Sequence, residues 1–176
     1  MIDRLSIDRN KTAVLIMDYQ NLQFSFFVKE EKAQKELLEK ANAVLAKARE
    51  VGIPVIYVED VRGERNAQSE IHPAIKPKAD EQVFTKYSVG PFATTNLDEV
   101  LKKQGIDTLI IMGIATIGCV LTTVRWGSDI GYKCIVVSDC CANPDQEVQR
   151  FLMEKIFGRG VATSADIIKL LSSFKA

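Results

Sequence analysis

Cys119 stands where Met112-Gly113-Ile114-Ala115-Thr116-Ile117-Gly118-Cys119-Val120 passes from an apolar run, through small residues and a hydroxyl, into the start of a helix. Small residues at a strand-to-helix turn let backbone N–H groups point into the crevice at the carboxyl end of a sheet, where open α/β proteins bind ligands. A thiol in the first helical turn would also feel a positive field that lowers its pKa and favours thiolate, the nucleophilic form. Free cysteine is also one of the most commonly buried residue types, a small hydrophobe, so the position alone leaves both roles open. Two charged residues occupy comparable places. Asp18 directly follows the apolar run Thr12–Met17 and either faces the same crevice or caps a turn. Lys86 follows Gln82–Thr85 and either stays in solvent, as most lysines do, or turns inward toward Asp18 and a thiolate.

The elements that must carry these residues follow from apolar periodicity. Continuous, β-branched runs at Thr12–Met17, Ile53–Val58 and Thr108–Met112 predict strands covered on both faces, and Gln82–Thr85 and Lys133–Val137 predict two more. Between them, Ala33, Leu37, Leu38, Ala41, Val44, Leu45 and Ala48 recur at three- and four-residue steps, the signature of an amphipathic helix over Glu31–Val51. Further helices are predicted from Leu97 to about Gly105, with Thr95 or Asn96 as cap and Asp98 or Glu99 completing a capping box, and over Cys119–Ile130, Asp145–Phe157 and Ala165–Phe174. Gly160–Ala162 reads as a short last strand, and Glu59–Glu81, polar and carrying Pro73 and Pro77, as a long surface excursion. Tyr19–Phe27 mixes amides with aromatics and either lines a pocket or covers the core. Strands alternating with helices predict a mostly parallel sheet with helices on both faces, in one domain spanning residues 1–176.

Composition narrows the function classes. Lysine plus arginine equals aspartate plus glutamate at 23 each, so no polyanionic partner, and in particular no nucleic acid, is expected. No apolar run approaches the ~20 residues that span a bilayer, and Met1-Ile2-Asp3-Arg4 is no basic-then-apolar leader, so a cytoplasmic protein with no membrane partner is expected. Cys119, Cys134, Cys140 and Cys141 lack zinc-site spacing and disulfide-scaffold density. His72, the sole histidine, lies in a polar stretch with proline and reads as a solvated loop residue, so whatever activates Cys119 is a carboxylate or an amine.

Three ordered blocks, Ala13-Val14-Leu15-Ile16-Met17-Asp18-Tyr19-Gln20-Asn21, the lone Lys86 followed by Phe92-Ala93-Thr94-Thr95-Asn96-Leu97, and Gly113–Val120, resemble the isochorismatase-like cysteine hydrolases. The similarity continues through Gly131-Tyr132 and Val136-Val137-Ser138-Asp139 to Val161-Ala162-Thr163-Ser164, nearly the whole chain. The resemblance implies a three-layer α/β/α fold with a six-stranded sheet whose first and fourth strands are neighbours. It implies a triad of Asp18, Lys86 and Cys119, a cis peptide between Ile114 and Ala115, and an oxyanion hole from the backbone N–H groups of Ala115 and Cys119. Gln20, Phe24, Tyr87, Phe92 and Ile117 are the candidate substrate contacts, with Trp126 a further aromatic. Family members of the nicotinamidase type bind a metal through an aspartate and nearby histidines, but Glu59-Asp60-Val61-Arg62 offers no histidine, so neither metal nor other cofactor is expected. The chemistry implied is cysteine-dependent cleavage of a C–N bond in a small amide, carbamoyl or ureido compound. The alternatives are vinyl ether hydrolysis with Cys119 a bystander, and a non-catalytic binding protein. A homo-oligomer is expected.

Overall fold

A computed structural model describes residues 6–174; the opening Met1–Arg4 lies outside the described residues. Six strands, β1 (Thr12–Met17), β2 (Val55–Asp60), β3 (Gln82–Lys86), β4 (Thr108–Ile114), β5 (Lys133–Ala142) and β6 (Val161–Ala162), form one sheet in the order β3-β2-β1-β4-β5-β6. Every neighbouring pair is parallel, as alternation with helices demands. β1 and β4 are adjacent, and the chain winds outward from them in opposite directions, which opens a crevice above their carboxyl ends.

One face of the sheet is covered by α1 (Asn21–Phe27), α2 (Glu31–Glu50) and α6 (Ser164–Leu171), the other by α3 (Leu97–Lys103), α4 (Leu121–Asp129) and α5 (Gln146–Phe151) with the turns around them. The α2 stripe Leu37, Leu38, Ala41, Val44, Leu45 and Ala48 is buried against the sheet as its periodicity predicts. Each such leucine or valine contributes roughly 1.5–3 kcal/mol of transfer free energy. α6 starts on a capping box in which Thr163 and Asp166 satisfy each other's backbone N–H groups.

Several boundaries differ from expectation, and the differences concentrate at the carboxyl ends of strands. β2 runs on through Glu59 and Asp60, both buried, because their backbones pair with Thr85 and Lys86 of β3. β5 runs on to Ala142 because a register shift between Ile111 and Gly113 lets Cys141 pair with Gly113. Tyr19–Phe27 contains the unpredicted helix α1. No capping box starts α3: Asn96 makes no side-chain cap bond, and Thr95 Oγ1 instead accepts from the Leu97 N–H at 3.2 Å. Most consequential, the predicted helix over Cys119–Ile130 begins earlier, as a π-helical turn over Thr116–Val120 that continues into α4. The Asp145–Phe157 helix likewise changes from α to π at Leu152.

Candidate active site

Asp18 leaves β1 with φ 57°, the left-handed region that aspartate tolerates better than most residues, while its N–H donates to the Val58 carbonyl of β2 at 2.9 Å. The chain therefore turns sharply at the crevice without breaking the sheet. Lys86 is turned inward and 0% exposed. Its Nζ lies 3.0 Å from Asp18 Oδ2, donates to Asp60 Oδ2 at 3.0 Å and donates to the Ser88 carbonyl at 3.1 Å. All three ammonium hydrogens thus find oxygens, which makes burial of this charge tolerable.

Cys119, 3% exposed, lies beside the Asp18 carboxyl, itself 4% exposed, close enough for each to shift the other's proton affinity, while Asp18 Oδ1 is buried with no hydrogen-bond partner among the described residues. The thiol also lies 3.7 Å from the Ala115 carbonyl. The Ile114–Ala115 peptide is cis, and Ala115 flanks the π turn at its amino end. π turns inside helices gather at functional sites because the extra residue re-aims the side chains around it. Gly113 permits the close approach. A Cβ there would stand 2.8 Å from Val120 Cγ2 and 3.3 Å from both Cys119 Sγ and the Met17 carbonyl oxygen. Gly113→Ala is accordingly expected to destabilise the protein by about 1–3 kcal/mol, read as a lower urea midpoint. An unchanged midpoint would show that the turn yields freely.

The electrostatics correct one expectation. Burial, and after it the negative Asp18 carboxyl, push the Cys119 thiol well above its ordinary pKa, and Lys86 offsets only part of this. The positive field of a helix terminus therefore does not produce a resting thiolate. Burial also lifts Asp18, against the pull of Lys86, to about 6. The result is a neutral thiol beside a carboxyl unusually ready to accept its proton.

Asp60 was not anticipated as part of this cluster. Burial would lift it, but the Arg62 guanidinium and Lys86 hold it below the usual carboxylate range. Arg62 Nε donates to Asp60 Oδ1 at 3.0 Å and Oδ2 at 2.9 Å, and Nη2 stands 2.7 Å from Oδ2. The rule that singled out Asp18, an acid at the carboxyl end of a buried parallel strand, would have found Asp60 had the end of β2 been placed two residues later. Asp60 and Arg62 also belong to the wall of a cleft of about 640 Å³ that includes Gln23 of α1. Gln23 Oε1 is buried with no hydrogen-bond partner among the described residues.

The expected substrate contacts divide. Gln20 is a positioning residue instead: its amide donates to the Asp60 and Ser69 carbonyls, and its Oε1 accepts the Asp60 N–H at 2.7 Å. Phe24 packs in the core against Tyr19 and His72, and Phe92 stacks on Tyr132 at 5.7 Å, so both belong to the interior. Aromatic burial outweighs pocket lining at both. Tyr87 and Ile117 are exposed, next in sequence to Lys86 and on the π turn, and Trp126 is exposed on α4. His72 is not merely solvated: its Nδ1 accepts from the Ala74 N–H at 3.2 Å and its ring leans on Phe24. Among the described residues no group of three or more His, Cys, Asp or Glu is placed to hold a metal ion, and both Asp60 oxygens are already engaged by cations.

Comparison with known proteins follows the same lines. A family model described as the isochorismatase domain matches residues 12–166. The Bacillus subtilis isochorismatase family protein YddQ is 28% identical over 146 residues, covering 78% of this chain and 81% of YddQ. A cysteine hydrolase from Pseudomonas syringae pv. phaseolicola superposes with a TM-score of 0.87 over 98% of this chain and 97% of its own, a likeness of fold at 24% identity. N-carbamoylsarcosine amidase from Thermoplasma acidophilum superposes with a TM-score of 0.77 over 88% and 96% of the two chains, at 26% identity.

Proposed function

Because the chain belongs to the isochorismatase family of hydrolases, we propose that it cleaves a C–N bond in a small amide, carbamoyl or ureido compound, with Cys119 as nucleophile. The observation that carries this reading is the Asp18 carboxyl, anchored on Lys86 at 3.0 Å, with its buried Oδ1 left without a hydrogen-bond partner among the described residues and the Cys119 thiol beside it. A binding-only protein would need neither a lysine buried at this depth nor an acid buried beside a sulfur. Asp18 takes the thiol proton, and the sulfur forms a bond to the substrate carbonyl carbon. The backbone N–H groups of Ala115 and Cys119 stabilise the negative oxygen that results. As the C–N bond breaks, Asp18 returns the proton to the departing nitrogen, leaving a thioester. Water, deprotonated by Asp18, then adds to that carbonyl; the C–S bond breaks, an acid leaves and the thiol is restored.

One feature favours this over vinyl ether hydrolysis: a sulfur placed beside the acid has a role only in the first chemistry. The amidase activity in the name of the Thermoplasma relative agrees. Ammonia release should be measured over a panel of small primary amides, ureas and carbamoyl compounds, together with pyruvate release from isochorismate. Ammonia from at least one member, with an acyl adduct on Cys119 seen by mass spectrometry under turnover, is expected. Pyruvate release that survives alkylation of Cys119, with no ammonia from the panel, would replace this reading with the other.

A further inference from the structure

Lys86 stands at 3.0 Å from each of two carboxylates, and one of them, Asp18, lies beside the thiol. The other is held from three sides. Gln20 fixes the Asp60 backbone, Arg62 grips both carboxylate oxygens, and the β2–β3 register sets Asp60 opposite Lys86. This is a large investment of buried polar contacts in a carboxylate for which the hydrolytic steps have no use. We propose that Asp60, held by Arg62, is a positioning residue that sets the proton balance between Asp18 and Cys119 by drawing Lys86 partly away from Asp18.

Paired with Lys86 alone, Asp18 would be a poor base, since an opposite charge at this distance lowers a carboxyl by about 1–3 pH units. Sharing the ammonium with a second anion restores basicity where the thiol proton must go. Arg62 limits that sharing: it takes up both oxygens of Asp60, and without it Asp60 would lean harder on the Lys86 ammonium and leave less of it for Asp18. The groups facing Asp18 are Lys86 from β3, Asp60 from β2 and Cys119 from the π turn, with Arg62 behind Asp60; Cys141 of β5 faces Cys119 in turn. Their charges predict opposite consequences for the two cluster members. Loss of the Asp60 charge makes Asp18 more acidic, whereas loss of the Arg62 charge makes it less so.

The inference rests on Cys119 and Asp18 exchanging a proton, and its test does not require a known substrate. The rate at which iodoacetamide alkylates Cys119, with the adduct located by peptide mass, is followed from pH 4 to pH 9. The full chain, Asp60→Asn, Arg62→Gln and Arg62→Lys are compared. The acid-side inflection belongs to the Asp18–Cys119 pair as a unit. Asp60→Asn should move it down by about one pH unit, roughly tenfold in rate on the acid limb, and Arg62→Gln should move it up. Arg62→Lys should return it toward the parent value. Where the thiol is too shielded to react, the ¹³C shift of the Asp18 carboxyl, assigned by its loss in Asp18→Asn, reads the same displacement. Should Asp60→Asn fail to fold, the half-exposed Arg62 pair decides. Unmoved inflections, or shifts of one sign in both charge-removing variants, overturn the proposal. If the inflections move as stated and no panel compound releases ammonia, the hydrolytic reading falls while this inference stands. Ammonia release with fixed inflections has the reverse meaning.

Discussion

Cys119→Ala is expected to lower turnover of the best panel substrate by at least about 10⁴-fold, the scale on which removal of an attacking atom acts once binding and oxyanion contacts are left in place. The thioester route has no second nucleophile. Among the described residues the other thiols, Cys134, Cys140 and Cys141, sit on β5 and not on the turn that faces Asp18. The fold should survive, because the side chain removed is small and loses few contacts, a change of about 1 kcal/mol. Circular dichroism and a urea melt check the fold, while ammonia release and the absence of an adduct at residue 119 check the chemistry. Substantial hydrolysis by a well-folded Cys119→Ala protein would remove sulfur from the mechanism.

Lys86→Met should be costly in a different way. The ammonium is the shared counter-ion of two buried carboxylates, and removing one partner of a buried ion pair typically destabilises by about 3–5 kcal/mol because the remaining charge has no compensation. Here the methionine would leave Asp60 with Arg62 and Asp18 with no cation in contact. The pH dependence gives this prediction its sign. Without Lys86 the folded-state pKa of Asp18 rises further above its ordinary value, so ionising it opposes folding. The penalty is fully present above that folded pKa and is relieved as protons bind on acidification. Urea midpoints of the variant should therefore lie well below the parent's at pH 8 and approach them at pH 5. Activity at neutral pH should be lost as well, since the acid would hold its proton. An equal deficit at both pH values would mean that Lys86 matters through packing alone.

Most of the frame was legible because buried parallel strands announce themselves as unbroken apolar runs and helices as three- and four-residue periodicity. Thr12–Met17 and the α2 stripe are examples. Family resemblance singled out Asp18, Lys86 and Cys119, which the structure brings together; Lys86 on its own sequence position gave no reason to prefer burial over solvent. What was not legible lies where strands end. Pairing with Lys86 carries Asp60 into β2, and a register shift carries β5 on to Ala142, neither of which leaves a mark on local composition. The two buried aromatic candidates could not be placed from sequence for a related reason. Phe24 and Phe92 carry the same side chain whether they line a cavity or fill a core, and only tertiary packing at Tyr19 and Tyr132 separates the two. The expectation of a lowered thiol pKa rested on Cys119 lying in the first turn of a helix. The helix instead starts three residues earlier as a π turn, and near-complete burial together with the Asp18 carboxyl reverses the sign.

The depth at which the thiol and its acid lie has a bearing on what can be cut. With Cys119 3% and Asp18 4% exposed, a linkage reaches the sulfur only where the groups flanking it are small enough to pass between buried side chains, so under the proposed chemistry small compounds are favoured over folded polymers.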